Sequence, residues 1–93
     1  MKPSILTKNT EICYLCEGRA ECIHHIYYGS KQRMVSDRCG FVVPLCNQCH
    51  NMGKNSVHFN PMKDKFLKQK CQKEFEKTHS REEFMELIGK NYL

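Results

Sequence analysis

Two short stretches decide how this chain is read: Cys13-Tyr14-Leu15-Cys16 and Cys46-Asn47-Gln48-Cys49, the second running directly into His50. Two residues between thiolates let one tight turn present both sulfurs to a single ion. Two such turns complete a tetrahedral site with no open position, which is the structural form of zinc binding. The 29 residues between the pairs exceed a minimal zinc ribbon, so they must hold structure of their own. Cys13, Cys16, Cys46 and Cys49 are therefore the expected ligands of a structural Zn2+, with Cys22 or Cys39 as substitutes if one pair is fortuitous. Cys71 reads as a small core residue.

Composition agrees with that reading. The chain has 93 residues, 40% hydrophobic and 27% charged, with seven cysteines and no Trp. One small domain of this size buries a modest core, and a metal would supply the missing stability. An odd cysteine count argues against a closed disulfide framework. No apolar run approaches the roughly 20 residues of a spanning helix, so no membrane association is expected. The N-terminal residues lack an apolar core of signal-peptide length, and a cytoplasmic, reducing location is the expectation. A net charge of +5 favours an anionic partner, with nucleic acid the usual candidate.

Working outward from the cysteines, residues 1–12 read as a polar lead-in. Ile23, Ile26, Tyr27 and Tyr28 suit a strand, Gly29-Ser30 ends it, and the basic segment 29–40 reads as a loop. Phe41-Val42-Val43 suits a second strand, stopped by Pro44, so a hairpin with a long basic loop is expected. Asn60-Pro61 is a helix start, and Met62, Phe66, Cys71 and Phe75, with Leu67, trace an apolar stripe to about Lys77. Ser80 and Glu83 form a capping box for a last helix with Phe84, Leu87 and Ile88 inward and Gly89 as its stop. The two helices, joined by two or three residues, are expected to pair antiparallel.

Four of five histidines fall in the cysteine-bearing half: His24, His25, His50 and His58. If the chain folds back over the hairpin, His24, His50 and His58 could converge on a second ion. Three protein ligands with open positions is the catalytic form of a metal site. His79, between the two helices, reads as an ordinary surface or core residue.

The string Cys13-x-x-Cys16, His24-His25-Ile26, Pro44-Leu45-Cys46-x-x-Cys49-His50 resembles the HNH endonucleases of the His-Me finger (ββα-metal) superfamily, above all small phage-encoded members with a four-cysteine zinc site. The match covers residues 13–60, about half the chain. The resemblance implies a small α+β fold: a zinc-stapled ββα-metal finger, made of a β-hairpin and a helix, followed by a C-terminal helical pair at 61–93. It implies one catalytic divalent cation (Mg2+, Mn2+, Ni2+ or Zn2+) with His24 as a ligand and His25 as the general base that deprotonates water. His50 matches the motif's final histidine, and His58 resembles an additional downstream ligand. One position departs from the pattern: the middle Asn is expected about five residues before Cys46, where this chain has Phe41.

DNA is then the expected partner, held through its phosphates with little sequence preference. Lys31, Arg33 and Arg38 in the basic segment and Lys63 at the helix start are the expected contacts, and further lysines follow along that helix. The resemblance implies DNA phosphodiester hydrolysis, in phage DNA processing or recombination. Two rival readings are a non-catalytic zinc-ribbon binding module or degenerate HNH domain, and an adaptor whose helix docks on a larger protein.

Overall fold

The computed structural model describes residues 3–93; Met1 and Lys2 of the lead-in lie outside the described residues. In order, the elements are strand β1 (Cys22–His25), helix α1 (Gln32–Cys39), strand β2 (Val42–Leu45), a single wide turn at Gln48–Met52, helix α2 (Pro61–Phe75) and helix α3 (Arg81–Ile88). This is a small α+β architecture around a two-stranded antiparallel sheet. The register pairs Cys22 with Leu45, Ile23 with Pro44, His24 with Val43 and His25 with Val42.

Pro44 does not stop β2, contrary to the sequence expectation. With only two strands, its missing N–H faces the outer edge, where the ladder asks for no donor. The Pro44 carbonyl on that edge accepts from the Tyr14 N–H at 2.8 Å, which docks the first cysteine turn onto the strand. β1 is also shorter than expected. It ends at His25, and Ile26 and Tyr27 turn into the core, both fully buried.

The segment expected as a basic loop contains α1. Its polar sequence hides the reason: the one fully buried residue is Ser36, whose hydroxyl donates to the Tyr27 carbonyl at 2.6 Å and accepts from the Tyr27 N–H at 3.2 Å. These side chain-to-backbone bonds hold the helix to the chain leaving β1, and the partly buried Val35 and Cys39 pack against the core beside them. α1 ends at Gly40, in the left-handed region at φ 75°. A Cβ there would lie 2.2 Å from the Pro3 carbonyl oxygen, so only glycine fits. The lead-in is thus tied down: the Ile5 N–H donates to Gly40, and Ile5 and Leu6 pack on the core.

Phe41 sits at the centre of that core, fully buried, with ring centroids 5.5 Å from both Tyr27 and Phe75. α2 starts as its sequence requires, with Asn60 Oδ1 accepting from the Met62 and Lys63 N–H groups and Pro61 in the first turn. Its buried stripe differs from the expected one. Leu67, Cys71 and Phe75 are inside, whereas Met62 is 82% and Phe66 48% exposed. Steps of four advance only about 40° around a helix, so 67, 71 and 75 share a face that 66 leaves. α3 carries the expected Ser80–Glu83 capping box and a left-handed Gly89 stop, with Phe84 and Ile88 buried and Leu87 partly exposed. Its main helical neighbour is α1, and it meets α2 through Phe84 and Phe75. A linker of five residues, longer than expected, permits that placement.

Candidate metal centres

The two cysteine turns close on one another. The first is shaped by Glu17 in the left-handed region, with the Cys13 N–H bonded to the Gly18 carbonyl at 2.7 Å. The second begins where β2 ends, and Glu21 binds the backbone N–H and side-chain amide of Asn47, joining the two turns. The sulfurs of Cys13, Cys16, Cys46 and Cys49 all lie within 4.8 Å of one another, with Cys16 Sγ and Cys46 Sγ 3.6 Å apart. A tetrahedral ion with Zn–S bonds of about 2.3 Å holds its sulfurs about 3.8 Å apart. The cluster is therefore compatible with a structural zinc site.

Its electrostatics agree. Burial raises the Cys13 thiol, but backbone N–H groups at Cys46, Cys16 and Leu15 and the Cys16 side chain outweigh it and bring it down to about 7. Burial, and then the thiols of Cys46, Cys13 and Cys16, push Cys49 far up. Four neighbouring thiols cannot all ionise unaided, and a divalent cation among them reverses that cost.

The histidines form a second cluster. His24 leaves β1 on its buried side and is 2% exposed. His50 stands on the wide turn, its N–H bonded to the Cys46 carbonyl, so the cysteine turn sets its position. His58 is returned to it by backbone pairing, Val57 N–H to the Cys49 carbonyl at 2.8 Å and His58 N–H to the His50 carbonyl at 3.3 Å. The eight-residue interval thus closes a loop, and a ring nitrogen from each of His24, His50 and His58 lies within 4.8 Å of the others. His50 Nε2 and His58 Nε2 are 3.0 Å apart, against the roughly 3.3 Å expected of imidazoles sharing one tetrahedral ion at about 2.0–2.1 Å.

His24 has the chemistry of a cation ligand. Its Nε2 is buried and meets no hydrogen-bonding group among the described residues. Burial, followed by His50, His58, His25 and Lys68, pushes its pKa down to about 3, so the ring stays neutral with a lone pair to offer. Burial and His58 lower His50 as well. A desolvated neutral imidazole facing two others suits coordination, and the cluster contains no carboxylate.

These side chains line a cavity of about 220 Å3 together with Ile23, His25, Tyr28 and Arg33. Neighbours on a regular strand face opposite ways, but β1 ends at His25, and both histidines reach the same cavity. His25 is part-buried, and its Nε2 lies 3.1 Å from Asp37 Oδ1 on α1. Tyr28 walls the other side, bonded through its hydroxyl to Asp64, which also accepts from Lys68 at 2.7 Å.

Of the basic residues expected to meet DNA, Arg33 lines the cavity; Lys31, Arg38 and Lys63 are not among its lining residues. The sequence reading missed Asp37 and Tyr28. Tyr28 was read as part of the first strand, yet it lies three residues beyond β1; Asp37 had no signal while its segment read as a loop. Phe41, at the place of the motif Asn, turns into the core and does not line the histidine cavity. No protein-family model, no curated protein and no solved structure matches this chain.

Proposed function

We propose that the protein is a metal-dependent endonuclease of the HNH type that hydrolyses DNA phosphodiester bonds. One observation carries the reading: His24, His50 and His58 meet in a cavity that His25 and Arg33 also line. His24, His50 and His58 would hold a divalent cation, which when bound neutralises charge on the phosphoryl group and the leaving 3′-oxygen. Three neutral imidazoles suit Zn2+ or Ni2+ better than Mg2+.

The remaining work falls to the chain's own groups. His25 accepts the proton of the attacking water, a task for which imidazole needs little tuning near neutral pH. Arg33 offers a fixed positive charge and paired donors to the phosphate. The products are a 5′-phosphate and a 3′-hydroxyl. The cysteine turns, which would hold structural zinc, stay out of the chemistry and keep His50 in place.

The phage setting goes with the motif resemblance. A second reading, a non-catalytic nucleic-acid-binding module, draws on Phe41, since the motif's Asn is replaced by a core residue. Nicking of supercoiled plasmid by zinc-loaded protein separates the two, with Mg2+, Mn2+, Ni2+ or Zn2+ added and His25→Ala as control. Metal-dependent nicking that falls about 100-fold or more in His25→Ala supports the nuclease. DNA retarded on a gel but never cut with any cation overturns it in favour of the binding module.

A further inference from the structure

We infer that Asp37 is a positioning residue for His25, fixing which ring nitrogen carries the proton; the inference rests on the nuclease reading for its catalytic consequence. The ring nitrogen facing Asp37 is Nε2, 3.1 Å from Oδ1. A carboxylate only accepts hydrogen bonds, so this contact requires the proton on Nε2 and leaves Nδ1 as the ring's acceptor. A general base must present an unprotonated nitrogen to the water it activates, and a carboxylate behind the imidazole secures that form and stabilises the imidazolium once it has formed.

The surroundings favour a held ring. His25 is the last residue of β1, paired with Val42, so its backbone is anchored. Asp37 is in the middle of α1, which Ser36 locks to Tyr27 one residue away. Strand and helix thus fix both ends of the pair, with His25 18% and Asp37 48% exposed at the side chain. Arg33 stands one helical turn before Asp37, and both line a second concavity with His25, Ser30 and Met34. Arg33 is one helical turn away, yet Asp37 pairs with His25. This arrangement gives α1 two roles at the cavity: a positive charge for substrate and a carboxylate for the base.

The test uses the full zinc-loaded chain and two readouts. The first is the 15N NMR spectrum of the His25 ring at mildly alkaline pH, assigned with His25→Ala. The expected result is a proton on Nε2 slowed in its exchange with water, which broadens away in Asp37→Ala and Asp37→Asn and returns in Asp37→Glu. The second is single-turnover nicking, expected to fall about 10- to 100-fold in Asp37→Ala, by analogy with losing an outer partner of a functional histidine. Titrated Ni2+ binding at His24, His50 and His58 should be unchanged, and Asp37→Glu should recover part of the rate. A His25 ring proton equally protected without Asp37, or nicking unaltered in Asp37→Ala, overturns the inference. The NMR readout needs no DNA, so an unmodified chain that never cuts defeats the nuclease reading, while the spectrum still decides the pairing.

Discussion

If His24, His50 and His58 hold a cation as proposed, replacing His24 by Leu should make the protein more stable without that cation and less stable with it. His24 Nε2 is buried and has no partner among the described residues, and His24 is 2% exposed. An unmet buried polar group costs about 1–3 kcal/mol, and leucine fills a similar volume without that penalty. Loss of the edge-on ring contacts to His50 and His58, at centroid distances of 5.3 and 5.4 Å, takes back part of the gain. A net stabilisation of about 1 kcal/mol is the expected balance. A cation held at 100 times its Kd stabilises the native protein by about 2.7 kcal/mol, a gain that His24→Leu forfeits because only His50 and His58 remain. At saturation the order therefore inverts, with the unmodified chain ahead by about 1–2 kcal/mol. The assay is urea unfolding of zinc-loaded protein with and without Ni2+. If His24→Leu destabilises the Ni2+-free protein, or retains the Ni2+-induced gain, His24 is an ordinary core residue and the three-histidine site is wrong.

Acid should weaken the fold through the same group. His24 titrates near 3 in the folded chain and near 6.5 when unfolded, so only the unfolded state takes up its proton between those values. Stability is then lost as pH falls below about 6.5, by about 1.4 kcal/mol per unit. The difference between the unmodified chain and His24→Leu from pH 6 to pH 5, in urea melts without added cation, checks this, and a flat difference would contradict it. Removing the cysteine-bound zinc with a strong chelator, or substituting Cys16→Ser, should abolish cooperative unfolding followed by circular dichroism. Such sites contribute on the order of 10 kcal/mol, comparable to the whole stability of a small domain. Phe41→Asn, which puts the residue of the HNH pattern at that position, should not improve the proposed nicking. It removes a fully buried ring, at about 3–5 kcal/mol, and adds an unmet amide, so a loss under 1 kcal/mol in urea would show that Phe41 is not core.

The parts of this protein that were legible in its sequence are those set within a few residues. Two cysteines three apart form a turn that offers both sulfurs, wherever the turn lies. Asn60-Pro61 and Ser80-x-x-Glu83 satisfy their own helix ends, and Gly89 reverses its own chain. For the same reason the four cysteines and the histidine pair could be named before any fold was known.

What the tertiary structure decided depends on register and packing between distant segments. The pairing of His24 with Val43, together with the return of residues 57–58 onto 49–50, brings three histidines into one cavity; no local rule states that distance. α1 was hidden because its one fully buried residue is a serine bonded to backbone and its apolar contacts come from only Val35 and Cys39, and Asp37 was hidden with it. The α2 stripe was misassigned because Met62 and Phe66 are apolar yet face outward, and only the neighbouring core selects Leu67, Cys71 and Phe75. Phe41 follows the same logic: a motif position one residue before a strand can face the site or the core, and the aromatic cluster of Tyr27, Phe75 and Phe84 draws it inward. Sequence determined which chemical groups were present and how each local turn would close; long-range packing determined which of them meet.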